Sequence, residues 1–164
     1  MTNEPILYIM VGAPGSGKST WAEKHFEKTI PIISRDKIRF SLLEKNDEYF
    51  DKEKIVYKNF IGLISEQLNK NNSVVADATH LNKGSRLKLI QNIELRTNTK
   101  FKIIFVYMQT SLETCLKRNS FREGFTRVPD GALESMYRNL RKPEIDEYEN
   151  IHSVWVVEEG DYFE

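Results

Sequence analysis

One cysteine, Cys115, stands in 164 residues. That excludes an internal disulfide and a cysteine-built metal site. No apolar run approaches the ~20 residues a membrane-spanning helix needs. The opening Met1-Thr2-Asn3-Glu4-Pro5 lacks the positive charge of a leader, and Ile6–Val11 is too short for a signal-peptide core. These absences predict a reducing, cytoplasmic setting and no membrane partner. No internal repeat, low-complexity tract or Gly/Ser linker interrupts the chain, and the length predicts a single domain over 1–164.

Net charge is also missing, since 24 Lys and Arg face 24 Asp and Glu. The sum hides an asymmetry. Residues 144–164 carry 8 acidic residues and no Lys or Arg, which leaves residues 1–143 with a balance of +8. The body can therefore meet an anionic substrate. The acidic tail reads as a solvated surface.

Apolar strands alternate with helical segments. Strands are predicted at 6–11, 29–34, 73–76, 101–108 and 152–157, with Pro31 placing the second at an edge or start. Helices are predicted at 16–28, 52–70, 83–96, 111–119 and 130–141. The second of these turns Val56, Phe60, Leu63, Ile64 and Leu68 to one face, and the third carries Leu87, Ile90 and Leu95. Ser111 caps the fourth. Repeated βα units of this kind give an α/β, three-layer fold around a five-stranded parallel sheet.

Gly12-Ala13-Pro14-Gly15-Ser16-Gly17-Lys18-Ser19-Thr20 fits G-x-x-x-x-G-K-[ST], after a buried strand and at the start of a helix. Glycines let several backbone N–H groups converge on one anion. The helix N-terminus adds its dipole. Lys18 reaches the β and γ phosphates, and Ser19 offers its hydroxyl to Mg²⁺. This is the expected cradle for ATP and Mg²⁺. The only Asp-Glu pairs, Asp47-Glu48 and Asp146-Glu147, lie in polar surroundings, and N/T-K-x-D is absent. A mechanical ATPase and a GTPase are therefore disfavoured, and a small P-loop phosphotransferase is favoured.

The second strand ends in Ser34-Arg35-Asp36, followed by Lys37-Ile38-Arg39. Asp36 is the candidate base for an attacking hydroxyl; the alternative makes it a helix N-cap. Arg35 and Arg39 favour an anionic acceptor. The third strand delivers Asp77-Ala78-Thr79 to the same rim, as a support for metal-bound water or substrate, or as a plain turn. His80 reads as a surface group, Arg86 as a residue on a solvated helix face, and His25 and His152 carry no partner signal. Segment 117–142 holds seven basic and three acidic residues and reads as a basic lid. In it, Arg118 and Arg122 are placed to meet the phosphates, with a solvated basic loop as the alternative. Phe121 and Phe125 are read as packing groups ahead of stacking platforms.

The segments 12–22, Ser-Arg-Asp-Lys-Ile-Arg (34–39), Asp-Ala-Thr-His-Leu-Asn (77–82) and Lys-Arg-Asn-Ser-Phe-Arg (117–122) occur in order. With Val128-Pro129, Ser135-Met136-Tyr137 and Arg141, they resemble the 5′-hydroxyl polynucleotide kinase domain over about residues 6–142. The resemblance implies an adenylate-kinase-like P-loop fold, ATP as donor and a 5′-hydroxyl RNA or DNA end as acceptor. It implies Lys18 and Ser19 on phosphates and Mg²⁺, and Asp36 as base. It implies Arg39 on the acceptor's 3′-side phosphate, Asp77 as support and Arg122 as a clamp on the phosphoryl group. Two departures stand out. The D-x-D-x-T motif of a companion phosphatase is absent, and the Lys117–Pro129 spacing is one residue longer than the family pattern. A kinase of a small hydroxylated metabolite, or a nucleotide-binding module without an acceptor, are the alternatives.

Overall fold

The computed structural model describes residues 3–26 and 28–160. Met1, Thr2, Glu27 and residues 161–164 lie outside that range, and with them the first two residues of the expected non-leader start, one residue of the expected first helix and the last part of the acidic tail. The elements are β1 (Ile6–Val11), α1 (Lys18–Phe26), β2 (Ile32–Ser34), α2 (Arg35–Leu42), α3 (Glu53–Asn69) and β3 (Val74–Asp77). Then come α4 (Lys83–Glu94), β4 (Lys102–Gln109), α5 (Leu112–Ser120), a 3₁₀ turn at Gly124–Thr126, α6 (Asp130–Asn139) and β5 (Ile151–Glu158).

The five strands pair in parallel in the order β2-β3-β1-β4-β5. This is the P-loop kinase fold. β1 is central, and the period-two alternation of a strand decides which residue meets which layer. Leu7, Ile9 and Val11 pack with Phe60, Ile64 and Leu68 of α3 and Leu89, Ile90 and Ile93 of α4. Tyr8 and Met10 face the other way, onto Ala22 and Phe26 of α1. Both faces are therefore covered, which is why β1 reads as an unbroken apolar run. Burying each large side chain contributes about 1.5–3 kcal/mol.

β2 is an edge strand of three residues, and the pairing starts with Val75 N–H donating to the Pro31 carbonyl. Proline has no N–H for a ladder, so the expected strand loses its first half. The helix faces also differ from expectation. Leu63 is 42% exposed and Leu95 81% exposed. Ile61 faces the core from α3, and Arg86, Leu89 and Ile93 do so from α4.

Arg86 is the largest correction, because it is fully buried and not on a solvated face. Its guanidinium donates to both Glu147 carboxylate oxygens at 2.9 and 2.7 Å, and to the carbonyls of His80 and Arg141 at 2.8 and 3.1 Å. The Glu147 side chain is only 8% exposed beside it, so the acidic segment is not wholly a solvated surface. Glu159 is also engaged, accepting from the Ser111 N–H and the Thr114 hydroxyl at the start of α5. His80 is buried, not on the surface. Its Nδ1 lies 2.6 Å from the Met10 carbonyl, so that nitrogen is the donor and Nε2 is left without a hydrogen-bond partner. Burial pushes its pKa down to about 3, so the ring is neutral.

Candidate active site

Ligands in open parallel sheets bind beyond the carboxyl ends of the strands, where the strand order reverses. Here that point is the β1/β3 pair. Gly12 N–H donates to the Thr79 carbonyl at 3.0 Å and joins the two strand ends. The β2–β3 register sets Ser34 beside Asp77, which brings the segment after β2 to the same rim.

The loop from Gly12 to Gly17 turns with positive φ at Gly15 (+81°) and Gly17 (+95°). Gly15 is required twice, since a Cβ there would also stand 2.7 Å from the Cys115 carbonyl oxygen. Neighbours hold the loop's carbonyls. Lys18 Nζ donates to Ala13 at 2.9 Å, Arg118 to Gly15 at 3.1 Å and the Thr110 hydroxyl to Ser16 at 2.8 Å. The Ser19 hydroxyl donates to Asp77 Oδ2 at 2.6 Å across 58 positions. Burial lowers the Lys18 pKa, with Asp77 and Asp36 pulling the other way. Burial raises that of Asp77, with Lys18 and the Ser19 bond opposing.

Ser34, not Asp36, caps α2, its hydroxyl accepting from the Lys37 N–H. Asp36 is thereby released from the capping role. It accepts from the Tyr49 hydroxyl at 2.6 Å and from the Arg39 guanidinium. Arg39 is buried between Asp36 and Glu53, donating to Glu53 through Nε and Nη2, and its guanidinium lies 4.3 Å from the Tyr49 ring centre. Arg35 also donates to Glu53. Burial, then the Asp36 charge, raises the Tyr49 pKa above its ordinary 10, so the phenol stays a donor.

A cavity of about 280 Å³ gathers most of the residues singled out from the sequence. Pro14, Gly15, Gly17, Lys18, Ser19 and Thr20 line it from the loop side. Arg35, Asp36, Arg39, Asp77, Thr79 and Arg122 line it from the other strands and the α5 end. Gly12, Ser16 and Arg118 are not in its lining. Gly12 and Arg118 brace the loop from behind, where a Cβ on Gly12 would stand 2.5 Å from the Ser16 hydroxyl.

Ser34, Ala78 and Met136 also line it, and so do Tyr49, Phe50 and Glu53, which escaped the sequence reading. For Glu53 one signal existed, an acid opening a helix 14 residues after Arg39. Tyr49 sits in an irregular segment that carries no pattern.

The basic segment is anchored to the loop side of the site. The Asn119 side chain donates to the Val128 carbonyl and accepts from its N–H, at 2.7 and 3.1 Å, fixing both ends of the arginine-bearing turn. Val128, Leu133 and Cys115 pack with Ala13. Phe125 packs against Phe40, as read, whereas Phe121 is 75% exposed. His25 stacks on Trp21.

The fold is similar to three solved structures. A chain of the Pnkp1/Rnl/Hen1 RNA repair complex is 24% identical, with a TM-score of 0.69 over 85% of this chain. This chain spans 45% of that protein's length. A sugar kinase from Janibacter sp. HTCC2649 is 16% identical, TM-score 0.63, over 95% of this chain and 86% of that one. A fungal RNA kinase is 11% identical, TM-score 0.61, over 95% and 75%. No helix among the described residues is long and apolar enough to cross a membrane. A phosphate-binding loop on a kinase-like sheet makes this a nucleotide-binding fold, and with the AAA domain family model matching residues 7–143, the chain belongs to that family.

Proposed function

We propose that the chain moves the γ-phosphate of ATP to the 5′-hydroxyl end of RNA or DNA. The observation that carries this reading is the Asp36–Arg39 pair in one cavity with Lys18, Ser19, Asp77 and Arg122. An uncapped carboxylate there can take a hydroxyl proton, and Arg35 and Arg39 surround it with donors for an acceptor phosphate. The Arg-Asp-x-x-Arg and Arg-Asn-Ser-x-Arg motifs and the likeness to an RNA repair protein and a fungal RNA kinase support the acceptor class.

In this reading Lys18 and the loop N–H groups hold the β and γ phosphates. The Ser19–Asp77 pair fits Mg²⁺, because both offer oxygen and a hard cation that keeps several waters needs few protein ligands. Mg²⁺ neutralises charge on the β and γ oxygens when bound. The acceptor oxygen bonds to the γ phosphorus as the bond to the β–γ bridging oxygen breaks and ADP leaves. The acceptor proton passes to Asp36. Arg122 stabilises charge on the equatorial oxygens. The site residues thus divide into Asp36, Lys18 and Arg122 for chemistry, Ser19 and Asp77 for Mg²⁺, and Arg35, Arg39 and Thr79 for the acceptor side.

A second reading, a kinase of a small hydroxylated metabolite, is favoured by one observation. Glu53 already holds Arg35 and Arg39, which offsets their charge toward an anionic acceptor. γ-Labelled ATP, offered with a 5′-hydroxyl oligonucleotide beside nucleosides and sugars, separates the two. Label at the 5′ end, suppressed by salt, is expected. Labelling of a nucleoside or sugar with none on the oligonucleotide rejects the polynucleotide reading.

A further inference from the structure

A second cavity, of about 350 Å³, shares Arg35, Glu53 and Thr79 with the first and runs between α3 and α4. Its wall carries the Tyr57 ring, half-buried, with the Arg35 guanidinium 5.0 Å and the Lys88 ammonium 5.5 Å from the ring centre. Asn92 donates to the Tyr57 hydroxyl at 3.3 Å and helps fix the ring. Among the described residues, Lys54 and Lys88 pair with no carboxylate. The Arg35 Nε is buried and has no acceptor, although its Nη2 is held by Glu53.

We propose that this groove is an acceptor-strand subsite, which takes the second nucleotide of a single-stranded polynucleotide. The inference rests on the polynucleotide reading and deepens it. A nucleotide whose 5′-hydroxyl reaches Asp36 fills the first cavity. Its 3′-phosphate then falls at the shared wall, where the Arg35 Nε lacks a partner. The next base takes the place over the Tyr57 ring that the Lys88 ammonium holds in the empty groove, and the following phosphate meets Lys54 and the displaced Lys88. Stacking on an aromatic platform with a basic track is how single strands are held without sequence readout. A small metabolite ends within the first cavity and gains nothing from the second.

The test compares two acceptors under γ-labelled ATP, a nucleoside 3′-monophosphate and a 5′-hydroxyl hexanucleotide. In Tyr57→Ala the ratio of kcat/KM for the hexanucleotide to that for the mononucleotide is expected to fall about tenfold, within the range of lost base stacking. In Lys88→Gln, an exposed change that folds in any event, the ratio falls about threefold. Its salt dependence becomes shallower by about 0.7 in log–log slope, the value for one single-strand phosphate contact. An unmoved ratio in both variants, while the wild type labels the hexanucleotide, overturns the subsite and leaves the polynucleotide reading standing. A wild type that labels a sugar and neither nucleic acid acceptor overturns both.

Discussion

The Tyr49 hydroxyl donates to Asp36 Oδ1 at 2.6 Å, and the Arg39 guanidinium donates to both residues. The carboxylate proposed as base is therefore held from two sides. Asp36→Asn keeps the shape and removes the basic site, so kcat is expected to fall by about 10²–10⁴ with nucleotide affinity retained. Tyr49→Phe loosens Asp36 without removing it, and kcat falls by about tenfold. Steady-state rates with ATP affinity measured separately check both. An Asp36→Asn enzyme with wild-type kcat removes the proposed base.

Arg122 and Arg39 act on different quantities. Arg122→Ala is expected to lower kcat by about 10² or more with both substrates still bound, because its contact strengthens as charge develops. Arg39→Lys keeps the charge but loses the forked contact to Glu53 and the hold on Asp36. It is expected to raise the acceptor KM and lower kcat together. Equal kcat in wild type and Arg122→Ala at saturation excludes the clamp role.

Asp77 is a buried carboxyl with a pKa raised chiefly by burial. The folded chain thus binds the proton more tightly than the unfolded one, and stability is lost as pH rises through the folded pKa. Asp77→Asn removes that loss. The variant is expected to melt higher than the wild type at neutral pH, without nucleotide, and to lose Mg²⁺-dependent nucleotide binding. A lower melting temperature in the variant at pH 7 contradicts this.

His80 has the opposite sign. Its pKa falls from 6.5 to about 3 on folding, first through burial. The unfolded chain then binds more protons between those values, so stability is present above pH 6.5 and is lost as pH falls toward 3. The slope is at most about 1.4 kcal/mol per pH unit. His80 also has a φ of +45°, which asparagine tolerates better than most residues. Denaturant titrations from pH 7 to 4 are expected to show a shallower loss in His80→Asn. Identical acid limbs in the two proteins would remove His80 as their source.

Arg86→Met takes the guanidinium away from the carbonyls of His80 and Arg141 and from the Glu147 carboxylate, which keeps the Glu144 N–H. Breaking a buried pair from one side costs about 3–5 kcal/mol. Arg86→Met with Glu147→Leu removes the second charge as well and is expected to recover a large part of that loss. Urea unfolding midpoints measure both. A single variant as stable as the wild type shows that Glu147 reaches water.

The sequence by itself determined the elements whose cause is local. β1 is an apolar run buried on both faces, and a run of that kind needs no partner to be recognised. The phosphate loop is equally local, because its glycines, Lys18 and Ser19 act within one turn and the following helix. Asp36, Arg39, Asp77 and Arg122 were legible as types of residue at strand and helix ends. Only the tertiary structure brought them into one cavity, through the β1/β3 switch and the Ser34–Asp77 register. It also decided the residues whose environment comes from distant chain. Whether Asp36 caps a helix depends on a two-residue shift of the helix start, a choice that Ser34 wins. Arg86 looks solvated by helical spacing until a carboxylate 61 positions away enters the core beside it. Tyr49 carries no pattern of its own, and Glu53 only that of an acid opening a helix. Their places are set by where α3 packs against α2, since long-range packing, not local propensity, fixes which polar groups share a buried network.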